Sequence, residues 1–194
     1  SYETIWDSEI TSTTKVDHKR VVTALKNISE GNDLETYMDI DNLLRYMAVH
    51  VFSVNEDSLS GMMAHNYYLY EAGGKLNLIP WDYNLALGGM GSDNDATSVV
   101  NDAIDNAFSA TNFFDTLMEN ETYHSQYYAY LQQLVSEYIN GGGFDAFYER
   151  VRNQIDELVE TDPTAFYSYD EYLTAVDTCL LYTSPSPRDV EESR

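Results

Sequence analysis

The stretch from His65 to Asn84 constrains this chain more than any other. Two short apolar and aromatic runs, Tyr67-Tyr68-Leu69-Tyr70 and Leu76-Asn77-Leu78-Ile79, flank Ala72-Gly73-Gly74-Lys75. Strand-like runs around turn residues predict a β-hairpin. Pro80 has no N–H to give a ladder and holds Ile79 extended, so the second strand should stop there. Asp82 comes at once after it. A carboxylate placed where a strand has just ended is held by rigid backbone and can face a crevice, which suits a metal ligand. Trp81 and the tyrosines also fit ordinary core or surface packing, and Asp82 fits a cap on backbone amides. The pattern of residue types leaves both readings open.

With 194 residues and 43% hydrophobic content, the chain can bury the core of one domain. Thirty-three acidic residues against ten basic give a net charge of -23, which repels nucleic acid and anionic lipid and would attract basic partners or divalent cations. Most of these carboxylates should be solvated helix faces. No apolar run reaches the length of about 18 residues that a spanning helix needs. The first residues, Ser1 to Asp7, have neither a basic start nor an apolar segment, so no signal peptide is visible. Cys179 is the only cysteine, which excludes an internal disulfide framework and a cysteine zinc site.

Val16, Val21, Val22, Leu25 and Ile28 recur at helical spacing between Lys15 and Ser29, with Gly31 as a stop. Asp39 stands as an N-cap before Ile40, Leu43, Leu44, Met47, Ala48, Val51 and Phe52, a pattern that predicts a buried helix. His50 lies at its margin as a packing histidine, with no second His or Cys at ligand spacing. A polar loop from Val54 to Gly61 follows and runs into the hairpin. Met90 to Asn106, rich in Ser, Asp, Asn and Gly, reads as a loop near the cleft; a calcium-loop reading fails because its glycine position holds Ser98. Helices are then expected around Phe113 to Met118, from Tyr123 to Tyr138 with a stop at Gly141-Gly142-Gly143, and from Phe144 to Leu158 with a stop at Asp162-Pro163. Ser168 and Glu171 form a capping box for a last helix. The tyrosine stripe Tyr123, Tyr127, Tyr130 and Tyr138 is expected to pack rather than to bind sugars or bases.

A long buried helix, a loop carrying Asp57, Asn66, a hairpin and then Asp82 follow the order of parts in a protein-kinase C-terminal lobe. No H-R-D or D-F-G word occurs, and Asp57 and Asn66 stand further apart than in the H-R-D-x-x-x-x-N pattern. The words themselves are more specific. His65-Asn66-Tyr67-Tyr68-Leu69-Tyr70, Gly74-Lys75-Leu76, Ile79-Pro80-Trp81-Asp82-Tyr83-Asn84 and Gly88-Gly89 together resemble the CotH family, the spore-coat-protein-H-like atypical protein kinases. The likeness covers about residues 1–178, includes Asp162-Pro163-Thr164-Ala165-Phe166-Tyr167, and is sharpest from Asn55 to Gly89.

That resemblance implies an α+β, mainly helical fold: the C-terminal lobe of an atypical protein-kinase-like domain with the β-hairpin at its active site. It implies transfer of the γ-phosphate of ATP, with Mg2+, to Ser or Thr hydroxyls of partner proteins. Carried over residue by residue, Asp57 is the catalytic carboxylate, Asn66 the metal-binding amide and Asp82 the metal-binding carboxylate. Family habit places such proteins at the bacterial cell surface or spore coat. Family members have an N-terminal lobe with an ATP-contacting lysine; Lys15, Lys19 and Lys26 fall on the first helix and Lys75 at the hairpin turn, so the chain is expected to be a fragment without that lobe, inactive alone. Residues 179–194, with two of the four prolines and the single cysteine, read as a non-native tail of the sort a translated sequencing adapter leaves, or as a Ser/Pro linker. Two other classes stand beside the kinase reading: a catalytically silent coat or cell-surface module, and a carbohydrate-binding module using Trp6, Trp81 and the tyrosines. A scaffold has no chemical need for Asp57, Asn66 and Asp82 around one cleft.

Overall fold

The computed structural model describes residues 2–87, 89, 90, 103, 104, 108 and 112–183, with backbone alone at 112 and 178–183. Most of the expected loop from Met90 to Asn106, Gly88 and residues 184–194 lie outside these. The helices are α1 (Glu3–Asp7), α2 (Lys15–Ser29), α3 (Leu34–Tyr37), α4 (Ile40–Phe52), α5 (Asn112–Met118), α6 (Glu121–Gln133), α7 (Gly143–Thr161) and α8 (Tyr169–Thr183). The strands are β1 (Tyr67–Ala72) and β2 (Lys75–Pro80). The chain is thus mainly helical with a small antiparallel two-stranded sheet.

Helix α4 organises the core because its apolar residues leave it little face to give to water. Leu43, Leu44, Met47 and Ala48 are at most 1% exposed. Burying each of the larger side chains contributes on the order of 1.5–3 kcal/mol. Asp39 caps the helix as expected, its carboxylate accepting from the Asn42 N–H at 3.1 Å. One flank of α4 packs on α6 and another on β2. Tyr127 of α6 is fully buried and Tyr123 and Tyr130 pack against the core with their hydroxyls donating to Glu35 and Asp41, whereas Tyr138, the last of the stripe, stays exposed.

The hairpin runs in the register Tyr67↔Pro80 to Ala72↔Lys75, and its second strand ends at Pro80 as the missing N–H requires. Gly73 and Gly74 take positive φ at the turn. Both edges of β2 are occupied. Beyond the ladder to β1, Met38 bridges Leu76, the Asp39 N–H donates to the Leu76 carbonyl at 3.0 Å, and Asn42 reaches the backbone of Leu78. At the turn, Arg20 of α2 makes a two-pronged contact with Glu71 at 3.1 and 2.9 Å, and the same carboxylate accepts from the Gly74 N–H at 2.6 Å.

Helix α2 spans the expected residues, and its start carries a capping box between Thr14 and Asp17. The helix expected through Tyr138 differs in its last turns. Backbone pairing changes at Leu134 to a π-helical segment over Leu134–Ile139, closed by the Asn140 N–H on the Val135 carbonyl at 2.9 Å. Gly141 follows, where a Cβ would lie 2.2 Å from the Glu137 carbonyl oxygen, so the widened turn depends on glycine. Helix α7 carries no fully buried residue, and Phe147, Ile155 and Leu158 stay exposed. The Ser168–Glu171 box starts α8 as expected, with Glu171 accepting from the Ser168 N–H at 2.7 Å. Lys15, Lys19 and Lys26 lie exposed on α2, and Lys75 opens β2.

Leu44 is 1% exposed in the middle of this arrangement. Leu44→Ala should lower unfolding free energy by about 2–5 kcal/mol, the range for a buried leucine truncated to leave a cavity. Urea denaturation of the two proteins measures it, and a loss under about 1 kcal/mol would show that α4 is not the centre of the core.

Candidate functional site

The connection from α4 to β1 is polar in sequence and packed in structure. Asn55, Ser58 and Ser60 are at most 3% exposed. A buried loop of this kind is expected to satisfy its own polar groups, and its buried side chains do so apart from Asn55 Nδ2, which has no partner among the described residues. The Asn55 side-chain oxygen accepts from the Asp57 N–H at 3.2 Å, Ser58 and Ser60 share a hydrogen bond at 3.0 Å, and the Leu59 N–H donates to the Tyr46 hydroxyl at 3.0 Å. Glu56 closes the loop, its carboxylate accepting from the Met62 N–H and its carbonyl from the Met63 N–H. Gly61 is required by this closure, since a Cβ there would meet the Glu56 carbonyl oxygen at 2.4 Å.

Asp57 emerges half-buried from this loop. Its Oδ2 accepts a hydrogen bond from Asn66 Nδ2 at 2.7 Å. Asn66 is 5% exposed, and its other amide atom, Oδ1, faces the His65 ring nitrogen Nδ1 at 2.9 Å. A carboxylate can only accept here, so the Asn66 NH2 group must face Asp57, which leaves Oδ1 as the oxygen available to a cation.

Asp82 joins this pair through the hairpin register. The Trp81 N–H donates to the Asn66 carbonyl at 3.2 Å, which extends the ladder one step past Tyr67↔Pro80. Asn66 and Asp82 therefore stand at the same open end of the hairpin, with Asp57 bonded to the first of them. Asn66 and Asp82 both have positive φ, at 52° and 57°. Left-handed backbone at a residue with a side chain is strained by about 1–3 kcal/mol and persists where the surroundings hold it. Val54, Ala64 and Leu87 share this conformation, so strain concentrates in the segments that frame the three residues.

Of the three expected residues, Asp57 and Asn66 are in direct contact, and Asp82 follows the Trp81 whose N–H donates to the Asn66 carbonyl. Other expectations differ. Asp82 is exposed rather than recessed in a crevice. His65 is exposed and contacts Asn66. His50, expected as a satisfied packing histidine, is only half satisfied. It is 2% exposed, and its Nδ1–H donates to the Tyr46 carbonyl at 2.7 Å, while Nε2 has no partner among the described residues. Its ring stacks on Tyr46 at 3.9 Å and on Tyr83 at 5.2 Å between centroids. Burial pushes its pKa down to about 4, so it is neutral, and raises the Tyr46 phenol to about 12. Tyr46 was absent from the expected site; on an apolar helix it reads as one more core aromatic.

The three side chains offer oxygens only: two carboxylates and one amide carbonyl. That set suits magnesium, which takes one or two carboxylates, keeps several waters and shares its shell with phosphates. No three His, Cys, Asp or Glu side chains converge on a metal position among the described residues. Away from this site, a groove of roughly 480 Å³ lies between α4 and the π-helical turn, lined by Arg45, Val49, Tyr130 and Tyr138 among others.

Comparison with known proteins adds one match. The family described as CotH kinase protein matches residues 1–183. No curated protein matches, and no solved structure matches.

Two outcomes follow from the geometry. Asn66→Asp sets a second carboxylate against Asp57, and two such groups at hydrogen-bond distance cannot both ionise. Carboxyl-resonance NMR should show one acid titrating well above the ordinary range, and two ordinary titrations would refute the Asp57–Asn66 contact. For His50 the folded pKa lies below the unfolded value of about 6.5, so its contribution to stability is complete above pH 6.5 and declines as pH falls towards 4. His50→Phe should reduce the stability lost between pH 7 and pH 5, measured by urea unfolding at both; an unchanged loss would place the histidine in water.

Proposed function

The chain belongs to the CotH kinase protein family, and from that premise we propose that it carries the phosphate-transfer residues of an atypical protein kinase, one that moves the γ-phosphoryl group of ATP to Ser or Thr hydroxyls of partner proteins. The observation that carries this reading is the hydrogen bond from Asn66 Nδ2 to Asp57 Oδ2 at 2.7 Å, made at the end of the hairpin where Asp82 stands.

Phosphoryl transfer asks a protein for positioning and for compensation of charge. Asn66 holds Oδ2 of Asp57, so Oδ1 is the oxygen left to receive the hydroxyl of an acceptor side chain. That contact orients the hydroxyl oxygen for in-line attack and takes up its proton as the new O–P bond forms and ADP departs with the bridging oxygen. Asp82 and Oδ1 of Asn66 would hold magnesium, which when bound neutralises charge on the triphosphate. The His65 contact adds a second restraint on the Asn66 amide, whose NH2 end the Asp57 carboxylate already selects. The net charge of -23 would draw basic acceptor segments towards the molecule and slow anionic ones.

The silent coat or cell-surface reading draws on the exposed outer face of the hairpin, where Tyr68, Tyr70, Ile79 and Trp81 are each more than 40% exposed. Calorimetric titration with Mg-ATP separates the two. The kinase reading expects binding that weakens at least about tenfold in Asp82→Ala, the low end for loss of a metal-binding group. Absence of binding, or equal binding by both proteins, would overturn it.

A further inference from the structure

We infer that Asn42, Tyr46 and His50 of α4 are positioning residues that hold Asp57 and Asp82 in one fixed relation, so that a single helix gauges the site. This inference rests on the phosphotransfer reading above.

The three residues stand at i, i+4 and i+8, and side chains at that spacing rise along one face of a helix. Each grips a different part of the site. The Asn42 amide works like a strand: its oxygen accepts from the Leu78 N–H at 2.8 Å and its nitrogen donates to the Leu78 carbonyl at 3.1 Å. Leu78 lies on the strand that delivers Asp82. The Tyr46 hydroxyl accepts from the Leu59 N–H at 3.0 Å, two residues beyond Asp57. The His50 ring lies between Tyr46 and Tyr83, the residue after Asp82. Main-chain bonds add to the same axis, since the His50 carbonyl accepts from the Asn55 N–H and the Ser53 carbonyl from the Leu87 N–H.

The chemistry of this stripe is out of keeping with mere core filling. An apolar helix flank packed on a hairpin can slide by fractions of an ångström at little cost, whereas a two-pronged amide contact and a buried phenol fix both direction and distance. Burying the Asn42 amide and the Tyr46 phenol is unfavourable unless their contacts are made, so these two specify one placement, to which the stacked His50 ring adds. Asp57 and Asp82 lie on separate loops with positive φ at Val54, Asn66 and Asp82 around them. Strained segments of this kind hold their geometry only while something rigid restrains them. Arrangement within a fraction of an ångström is what in-line transfer requires.

The test compares Asn42→Ala, Tyr46→Phe, His50→Ala and His50→Phe with Leu44→Ala, which weakens the same helix on its apolar side. Amide hydrogen exchange is read first, without any ligand. Tyr46→Phe should raise exchange at Leu59 and also at Trp81 and Leu87, the hydrogen-bonded amides on either side of Asp82; Leu44→Ala should not single out those amides. Manganese(II) alone is then titrated as a probe. Tyr46→Phe, Asn42→Ala and His50→Ala should each weaken its binding by about 10- to 100-fold, the effect of losing an outer partner of a metal ligand. His50→Phe, which keeps the ring stack, should bind as the native chain does, and so should Leu44→Ala under folding conditions. Exchange confined to the residue touched, or equal weakening by Leu44→Ala, overturns the inference and leaves the phosphotransfer reading standing. A native chain that binds neither manganese nor Mg-ATP overturns both.

Discussion

The burial of helix α4 is the constraint on which the rest depends. Leu43, Leu44, Met47 and Ala48 cannot face water on a helix this short without costing the domain much of its core, so α4 is enclosed by α6 on one flank and β2 on another. Once it is enclosed, any polar side chain on the remaining flank must find a partner inside the protein. Asn42 finds its partner in the hairpin and Tyr46 in the Asp57 loop, while His50 bonds the Tyr46 carbonyl through Nδ1, stacks on Tyr83 and leaves Nε2 without a partner among the described residues. The segments that carry Asp57 and Asp82 are thereby tied to a deeply buried helix.

The hairpin is held by two unlike devices at its two ends. At the turn, Arg20 and Glu71 make a charge-assisted pair that is partly open to solvent, and its value to stability is modest on that account. At the open end, hydrogen bonds of buried groups do the holding, and local conformational strain collects there. A surface ion pair can loosen without changing where Asp82 stands. Loss of a buried contact at the other end cannot be absorbed so easily.

Helix α7 and the π-helical turn show a different regime. No residue of α7 is buried, its apolar side chains are partly open, and it touches the body mainly through the π-helical segment and α8. Free energies of local opening should therefore be lower here than around α4, where apolar contacts are dense. Asn66 and the loop that carries Asp57 belong to the buried part, while Asp82 stands exposed beside it.

Much of this chain was legible from residue order, because the signals concerned are local. Spacing of apolar residues placed α2 and α4, Gly73-Gly74 and Pro80 bounded the hairpin, Asp39 and Ser168 marked helix starts, and the words around Asp57, Asn66 and Asp82 named the candidate site. Each rests on backbone preferences that act over a few residues. What tertiary structure alone decided is the company those residues keep. Asn42 meets Leu78 across 36 positions and Arg20 meets Glu71 across 51, and nothing in residue spacing announces such pairings. The burial of a loop as polar as Asn55 to Ser60, the left-handed backbone at Asn66 and Asp82, and the lone buried Nε2 of His50 likewise arise only when distant segments close on one another, since burial and restraint belong to the packed chain and not to any stretch of it.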